Sequence, residues 1–368
     1  MFKTHTLLLT IVSLILSACS SQANRDSEFQ IHRGLNISHW LSQSGARGAF
    51  REQFFTEKDV AYIASEGFDH LRIPVDEEQL FLPDGQKDTV AFQLLHNALS
   101  WCRQYGLRAI VDLHILRTHN FNAAVKPLFT DPEAQERFYA AWRSLSSELG
   151  GYSNNWVAYE LMNEPVADDP EDWNKIVRRC VEEIRKLEPE RVLVIGSNRW
   201  QSFETVKDLY IPEGDKNIIL SFHYYEPFLL THYQASWVAE REYTGAVHYP
   251  GPVVTPEDLA TLSPDVAGRY ASWTARVYDK EAFARNFREV LKVAGEHGIQ
   301  AYCGEYGCIN SSPVPDRLRW WRDINEVFEE LGIARAVWDY KGIFGILKGG
   351  KPDRPMLEAL MGAPCTEK

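Results

Sequence analysis

The chain has 368 residues, 45% of them apolar and 24% charged, a composition that builds a folded core rather than a disordered or collagen-like chain. At this length folding buries roughly three quarters of the unfolded surface, so the core needs no disulfide staples. A net charge of −12 with no strongly basic segment excludes a nucleic-acid binder, which needs a positive footprint.

The chain opens on an address. Lys3 precedes an apolar run from Leu7 to Leu16 that is too short to span a bilayer, so residues 1–18 read as an export signal. Leu16-Ser17-Ala18-Cys19 resembles a bacterial lipobox, which predicts lipidation of Cys19 and a membrane anchor without a membrane-crossing helix. Ser20 stands where an inner-membrane lipoprotein often carries Asp, so an outer-membrane anchor is expected for a Gram-negative source. Residues 19–29 read as a polar tether and 30–368 as one domain. Cys102, Cys180, Cys303, Cys308 and Cys365 remain, an odd number, which predicts at least one free thiol. Cys303 and Cys308 are near enough to pair, but buried free thiols are the preferred reading.

From Ile31 onward short apolar strands alternate with amphipathic helices. A strand over Ile31–Ile37 leads to a helix over Thr56–Gly67, a strand over His70–Val75 to a helix over Phe92–Tyr105, and a strand over Arg108–His114 to a helix opened by Asp131-Pro132 and ending at Leu149. Val157–Asn163 is a strand and Pro170–Leu187 a helix. Arg191–Gly196 is a strand followed by a short helical piece near Ser202–Leu209. The sixth strand, Asn217–Tyr224, enters a long insertion over 227–278 that is rich in Pro, Tyr and Trp. Then come a helix over Lys280–His297 stopped by Gly298, a strand over Gln300–Glu305, a helix over Asp316–Leu331, a strand over Ile333–Asp339 and a last helix over Pro355–Met361. Eight strands in alternation predict an α/β fold of the (β/α)8 (TIM) barrel type, one domain with a long loop insertion after strand 6. An open doubly wound sheet would carry a Gly-rich turn after its first strand, where this chain has Ser38-His39-Trp40-Leu41.

In such a barrel, chemistry sits at the C-terminal ends of the strands. Those ends carry Asn36, His39 and Trp40; Arg72; Asp112 and His114; Asn163 and Glu164; His223 and Tyr225; Glu305; and Trp338 with Asp339. Glycosidic bond cleavage requires two carboxylates, one to protonate the departing oxygen and one to attack the sugar or activate water. Glu164 and Glu305 are the candidates, and the residues alone leave open which is the acid. Arg72 is a natural partner for an ionised Glu305, lowering its pKa, and Tyr225 is placed to add a hydrogen bond. Asn163 is placed for a sugar 2-hydroxyl, and Trp338 offers a flat face for a sugar ring.

Seven ordered blocks resemble glycoside hydrolase family 5: Arg33-Gly-Leu-Asn-Ile-Ser-His-Trp40, His70-Leu-Arg-Ile-Pro-Val75, Val111-Asp-Leu-His114, Leu161-Met-Asn-Glu-Pro165, Phe222-His-Tyr-Tyr225, Cys303-Gly-Glu-Tyr-Gly307 and Trp338. The resemblance implies a retaining double displacement on a β-linked polysaccharide or oligosaccharide, with Glu164 as acid/base, Glu305 as nucleophile, and Arg72, His114, Asn163, His223, Tyr225 and Trp338 in support. It also implies that His223 orients the acid/base, and Arg72 and Tyr225 the nucleophile. His39, Trp40 and Trp200 are further candidates for substrate contact, and His119-Asn120-Phe121-Asn122 for the cleft wall. Within the family a cellulase-like endo-β-1,4-glucanase is the expectation, ahead of a β-mannanase or an exo-acting β-glucanase or β-glycosidase. The chemistry calls for no metal and no cofactor, and a monomer is expected. A metal-dependent barrel hydrolase would want a His-x-His pair, which the chain lacks. A noncatalytic sugar-binding lipoprotein would be expected to have lost a carboxylate.

Overall fold

The computed structural model describes residues 28–362; the export signal, Cys19, all but the end of the tether, and Cys365 lie outside the described residues. Eight parallel strands close into a barrel: β1 (Arg33–Asn36), β2 (His70–Val75), β3 (Arg108–Leu113), β4 (Val157–Glu160), β5 (Leu193–Gly196), β6 (Ile218–Tyr224), β7 (Gln300–Tyr306) and β8 (Ala334–Val337), with β8 pairing back onto β1. Each strand follows its sequence neighbour around the ring, as right-handed β-helix-β crossovers require.

The boundaries follow local chemistry. Asp131 and Asp169 each accept a hydrogen bond from the backbone N–H two residues on, at 2.9 Å, and a Pro fills the first helical position behind each. The helix Lys280–His297 stops at Gly298, whose φ of 62° is the left-handed conformation that glycine adopts without a Cβ penalty. Six strands are shorter than the sequence suggests, β3 and β6 by one residue and β1, β4, β5 and β8 by more. β5 starts at Leu193, and the buried guanidinium of Arg191 just before it donates to the carbonyls of Val157 and Tyr152. β4 and β8 end before their site residues, so Asn163, Glu164 and Trp338 sit just beyond the ladder.

Two apolar layers form. Ile110, Ala158, Val194, Ile219, Tyr302, Ala334 and Ala336 fill the lower barrel interior, and a larger layer joins the outer strand faces to the helices. Parallel register then sets polar side chains at matching heights above that plug: Asn36 beside Arg72, Asp112 beside Glu160, and His223 beside Glu305. The insertion is built from short helices (Phe228–Thr231, Pro256–Leu259, Pro264–Tyr270) and an antiparallel pair, Gly251–Pro252 with Val277–Tyr278. Cys102, Cys180, Cys303 and Cys308 are buried and unpaired.

Most of the 11 Trp are framework. The buried indoles of Trp40, Trp142, Trp173 and Trp320 donate to the carbonyls of Arg51, Leu161, Gly196 and Glu226 at 2.8–2.9 Å, tying barrel walls to loops. Trp40 is therefore not a substrate contact as expected from its place after strand 1: it is 1% exposed and packs on Phe55.

Candidate active site

A cleft of about 1080 Å³ opens over the C-terminal ends of the strands. Its walls include His39, His114, Asn163, Glu164, Trp200, His223, Tyr225, Glu305 and Trp338, so nine of the expected site residues share one cavity. Arg72 lies beneath its floor and is fully buried. Asn120, Phe121 and Asn122 line the cleft as expected for the loop after β3, whereas His119 turns inward and is 1% exposed. From the insertion, Phe228, His232, Trp237, Val238, Ala239 and Glu240 form one wall. Tyr243, Tyr249 and Tyr270 are buried in packing instead, and His248 pairs with Asp258.

The two glutamates face each other. A carboxylate oxygen of Glu164, a ring nitrogen of His223 and a carboxylate oxygen of Glu305 all lie within 4.8 Å of one another. Three donors this close could hold a cation, but here the carboxylates are engaged by other groups. Glu305 Oε1 accepts from Arg72 at 2.7 Å and Oε2 from the Tyr225 hydroxyl at 3.0 Å. His223 Nδ1 stands 3.0 Å from Glu164 Oε1 and 3.7 Å from Glu305 Oε2.

Burial sets the charges. It holds Glu164 protonated well above the ordinary carboxylate range, and the neighbouring Glu305 charge adds to the effect. Burial raises Glu305 too, against the opposing pull of Arg72 and Tyr225. Arg72 does pull this pKa down, as expected, but burial outweighs it, and Arg72 is shared. It also donates to both oxygens of Glu160, at 2.7 and 3.0 Å, and pairs with Asp112 at 3.0 Å. Two carboxylates this close share one proton, and it rests on Glu164, which has no cation of its own. Burial also pushes Asp112 up to about 7 and His114 down to about 4, and it lowers His223 well below the usual histidine value. Both rings are therefore neutral at pH 7.

The surrounding contacts prepare a surface for a polar ring. His114 donates from Nδ1 to Asp112 at 2.6 Å and stacks on Trp338, with centroids 5.6 Å apart and planes 7° from parallel. Asn163 Oδ1 accepts from Arg72 at 2.9 Å, while its Nδ2 is buried with no partner among the described residues. Trp200 stands 46% exposed on the rim.

Sequence reasoning missed Gln43, Glu160, Gln201 and Phe344. Gln43 lines the cleft 3.2 Å from His114 Nε2, and Phe344 joins the wall with Trp237. Glu160 and Gln201 lie under the floor, linked at 3.0 Å. Glu160 had a readable signal: a carboxylate two positions after the inward Ala158 points into the barrel and needs a buried cation.

Residues 32–342 match the family described as Cellulase (glycosyl hydrolase family 5). Endoglucanase C of Acetivibrio thermocellus is 32% identical over 313 residues, which are 84% of this chain and 90% of that relative. Cellodextrinase A of Ruminococcus flavefaciens is 32% identical over 309 residues, 83% of this chain and 84% of the relative. The solved endoglucanase of Thermotoga maritima superposes with a TM-score of 0.73 over 92% of this chain and 98% of its own; at 23% identity that likeness carries the fold alone.

Proposed function

The chain belongs to glycosyl hydrolase family 5, and on that premise we propose that it cleaves β-1,4-glucan internally, by double displacement, with Glu164 as acid/base and Glu305 as nucleophile. It is a glycoside hydrolase. The observation that carries the mechanism is the closeness of the two carboxylates. Oxygens within 4.8 Å suit the roughly 5–5.5 Å carboxyl spacing of retaining enzymes, not the ~6.5–9.5 Å that leaves room for an attacking water.

In the first step the Glu305 carboxylate attacks the anomeric carbon as Glu164 gives its proton to the leaving oxygen. In the second, Glu164 takes a proton from water, which displaces Glu305 from the sugar. The unpartnered Nδ2 of Asn163 is left for the 2-hydroxyl, whose hydrogen bond strengthens as positive charge develops on the ring. The parallel His114–Trp338 pair supplies a flat face for one sugar. A cleft of about 1080 Å³, at the top of the ~300–1,000 Å³ range of small-molecule sites, takes more than one ring, which favours internal cleavage. The endoglucanase name of the relative favours β-1,4-glucan over mannan.

The test is purified protein on β-1,4-glucan, mannan and β-1,3-glucan. We expect mixed short cello-oligosaccharides whose first-formed ends are β anomers by proton NMR. An α anomer would overturn double displacement, dimers alone released from one chain end would overturn internal attack, and faster cleavage of mannan would overturn the substrate.

The reading extends to placement: a monomer tethered through lipidated Cys19, on the outer membrane. It rests on the Leu16-Ser17-Ala18-Cys19 motif and on Ser20. Among the described residues no helix is long and apolar enough to cross a membrane. Cys19→Ser should leave the membrane fraction; persistent detergent-dependent association would refute the anchor.

A further inference from the structure

Glu164 has a φ of 45°, in the left-handed region that non-glycine residues avoid, and it precedes Pro165, which disfavours helical backbone at this position. Such a conformation persists only where its surroundings over-determine it. Here the segment is pinned by groups from neighbouring loops. Trp142 donates to the carbonyl of Leu161, and Gln201 to that of Met162 at 3.2 Å. The backbone N–H of Trp200 donates to the carbonyl of Pro165 at 3.2 Å, and Asn198 brackets the backbone of Ala167 from both sides, at 2.8 and 2.9 Å. The carbonyl of Glu164 itself is held by one side chain, the Nε2 of His119, at 3.1 Å.

That contact fixes the histidine's state. A carbonyl only accepts, so Nε2 must carry the hydrogen. Nδ1 is then the bare nitrogen, and it is buried with no partner among the described residues. Burial holds the imidazole neutral by pushing it down to about 4. The ring cannot swing away. Leu116 and His119 exchange both backbone hydrogen bonds, at 2.9 and 3.2 Å, and Phe129 abuts the ring edge-on with centroids 5.2 Å apart. His119 touches neither the cleft nor the carboxyl group of Glu164.

The geometry points to His119 as a positioning residue for the acid: its Nε2–H holds the Glu164 carbonyl, keeps that residue left-handed, and so aims the carboxyl at the leaving oxygen. The inference rests on the acid/base reading of Glu164. With the bond gone, the Glu164 backbone relaxes toward ordinary φ and the carboxyl swings off its line. A displacement near 1 Å costs about 10²-fold in a positioned group. The loss should fall on proton donation alone, because Glu305 is held from the far side by Arg72 and Tyr225.

Leaving groups separate that role from a merely structural one. His119→Phe keeps a flat ring against Phe129 and removes the donor, whereas His119→Gln keeps an N–H at a similar reach. The measurement is kcat/KM, which reports the glycosylation step, on phenyl and 2,4-dinitrophenyl β-cellobiosides. Phenolate needs the proton and dinitrophenolate does not. We expect His119→Phe to lose about 10²-fold on the phenyl substrate and under ~3-fold on the dinitrophenyl one, with His119→Gln recovering most of the loss. Equal losses on both substrates, or none on either, would overturn the inference. Should His119→Phe fail to fold, His119→Ala is read in the same way. Glu164→Gln is the reference. If it too loses equally on both substrates, the acid reading itself fails; if it shows the leaving-group dependence and His119→Phe does not, only the positioning role fails.

Discussion

Tyr225→Phe removes one hydroxyl from the site and nothing else of its shape. That hydroxyl donates to Glu305 Oε2 at 3.0 Å, and burial keeps its own pKa well above the ordinary tyrosine value, so it remains a donor across the working pH range. A hydrogen bond to an ionised group contributes about 1.5–3 kcal/mol. One pKa unit corresponds to about 1.36 kcal/mol, so its loss can raise Glu305 by about 1–2 units. The sign follows from which form is bonded: the hydroxyl stabilises the carboxylate, so removing it favours the protonated and non-nucleophilic form. Glu305 is already raised by burial, and Arg72 at 2.7 Å remains, which places the shift nearer the lower figure. The assay is kcat/KM against pH, whose limbs report the free enzyme's coupled pair. The acid limb should move to higher pH by about 1 unit while the basic limb stays nearly in place, narrowing the bell. An acid limb that holds still or moves to lower pH would refute the assignment of Tyr225 to the ionised Glu305.

Two further outcomes test the site and its frame. Trp40→Ala should destabilise the fold by about 3–5 kcal/mol in denaturant titrations and leave KM of the folded enzyme unchanged, because the indole fills core and ties to the Arg51 carbonyl; a raised KM with little loss of stability would return Trp40 to the cleft. Azide should partly restore Glu305→Ala and give a glycosyl azide of inverted configuration, while rescue of Glu164→Ala should need a good leaving group and give a retained product; swapped products would reverse the two roles.

The barrel was legible because each element carries its own punctuation. Asp-Pro openings, Gly stops and short apolar runs are local signals, and the alternation of strand and helix leaves few topologies. The pair Glu164 and Glu305 was legible for a related reason: a carboxylate at the end of an apolar barrel strand needs either a buried partner or a place in a site. What failed was anything decided by direction or by shared partners. His39 and Trp40 are adjacent, yet only His39 lines the cleft: β1 has ended at Asn36, and His39 adopts a φ of 58°, so a loop sets both directions and strand periodicity does not reach them. Arg72 was visible as a partner of Glu305 but not as the partner of two more carboxylates, since Asp112 and Glu160 meet it through the register of the next two strands, which the sequence does not specify. Gln43 and Gln201 reach the site on left-handed backbone, with φ of 51° and 54°, and no glycine or turn motif announces either bend.

Arg72 shows why the floor of this site demands one particular cation. Its guanidinium meets Glu160, Asn36, Glu305, Asn163 and Asp112 at 2.7–3.0 Å, using the planar fork of five N–H donors that a lysine lacks. No single carboxylate receives its full charge. That dilution has a consequence for the chemistry above. Were Arg72 committed to Glu305 alone, the nucleophile would be held far down in pKa and would be a poor base and a weak attacker. Sharing the cation with Asp112 and Glu160 leaves Glu305 raised by burial yet anchored in place. The proton that the crowded carboxylates must keep then goes to Glu164, which meets only the neutral His223. The division between proton donor and attacker is therefore built below the cleft, by residues that a substrate never touches.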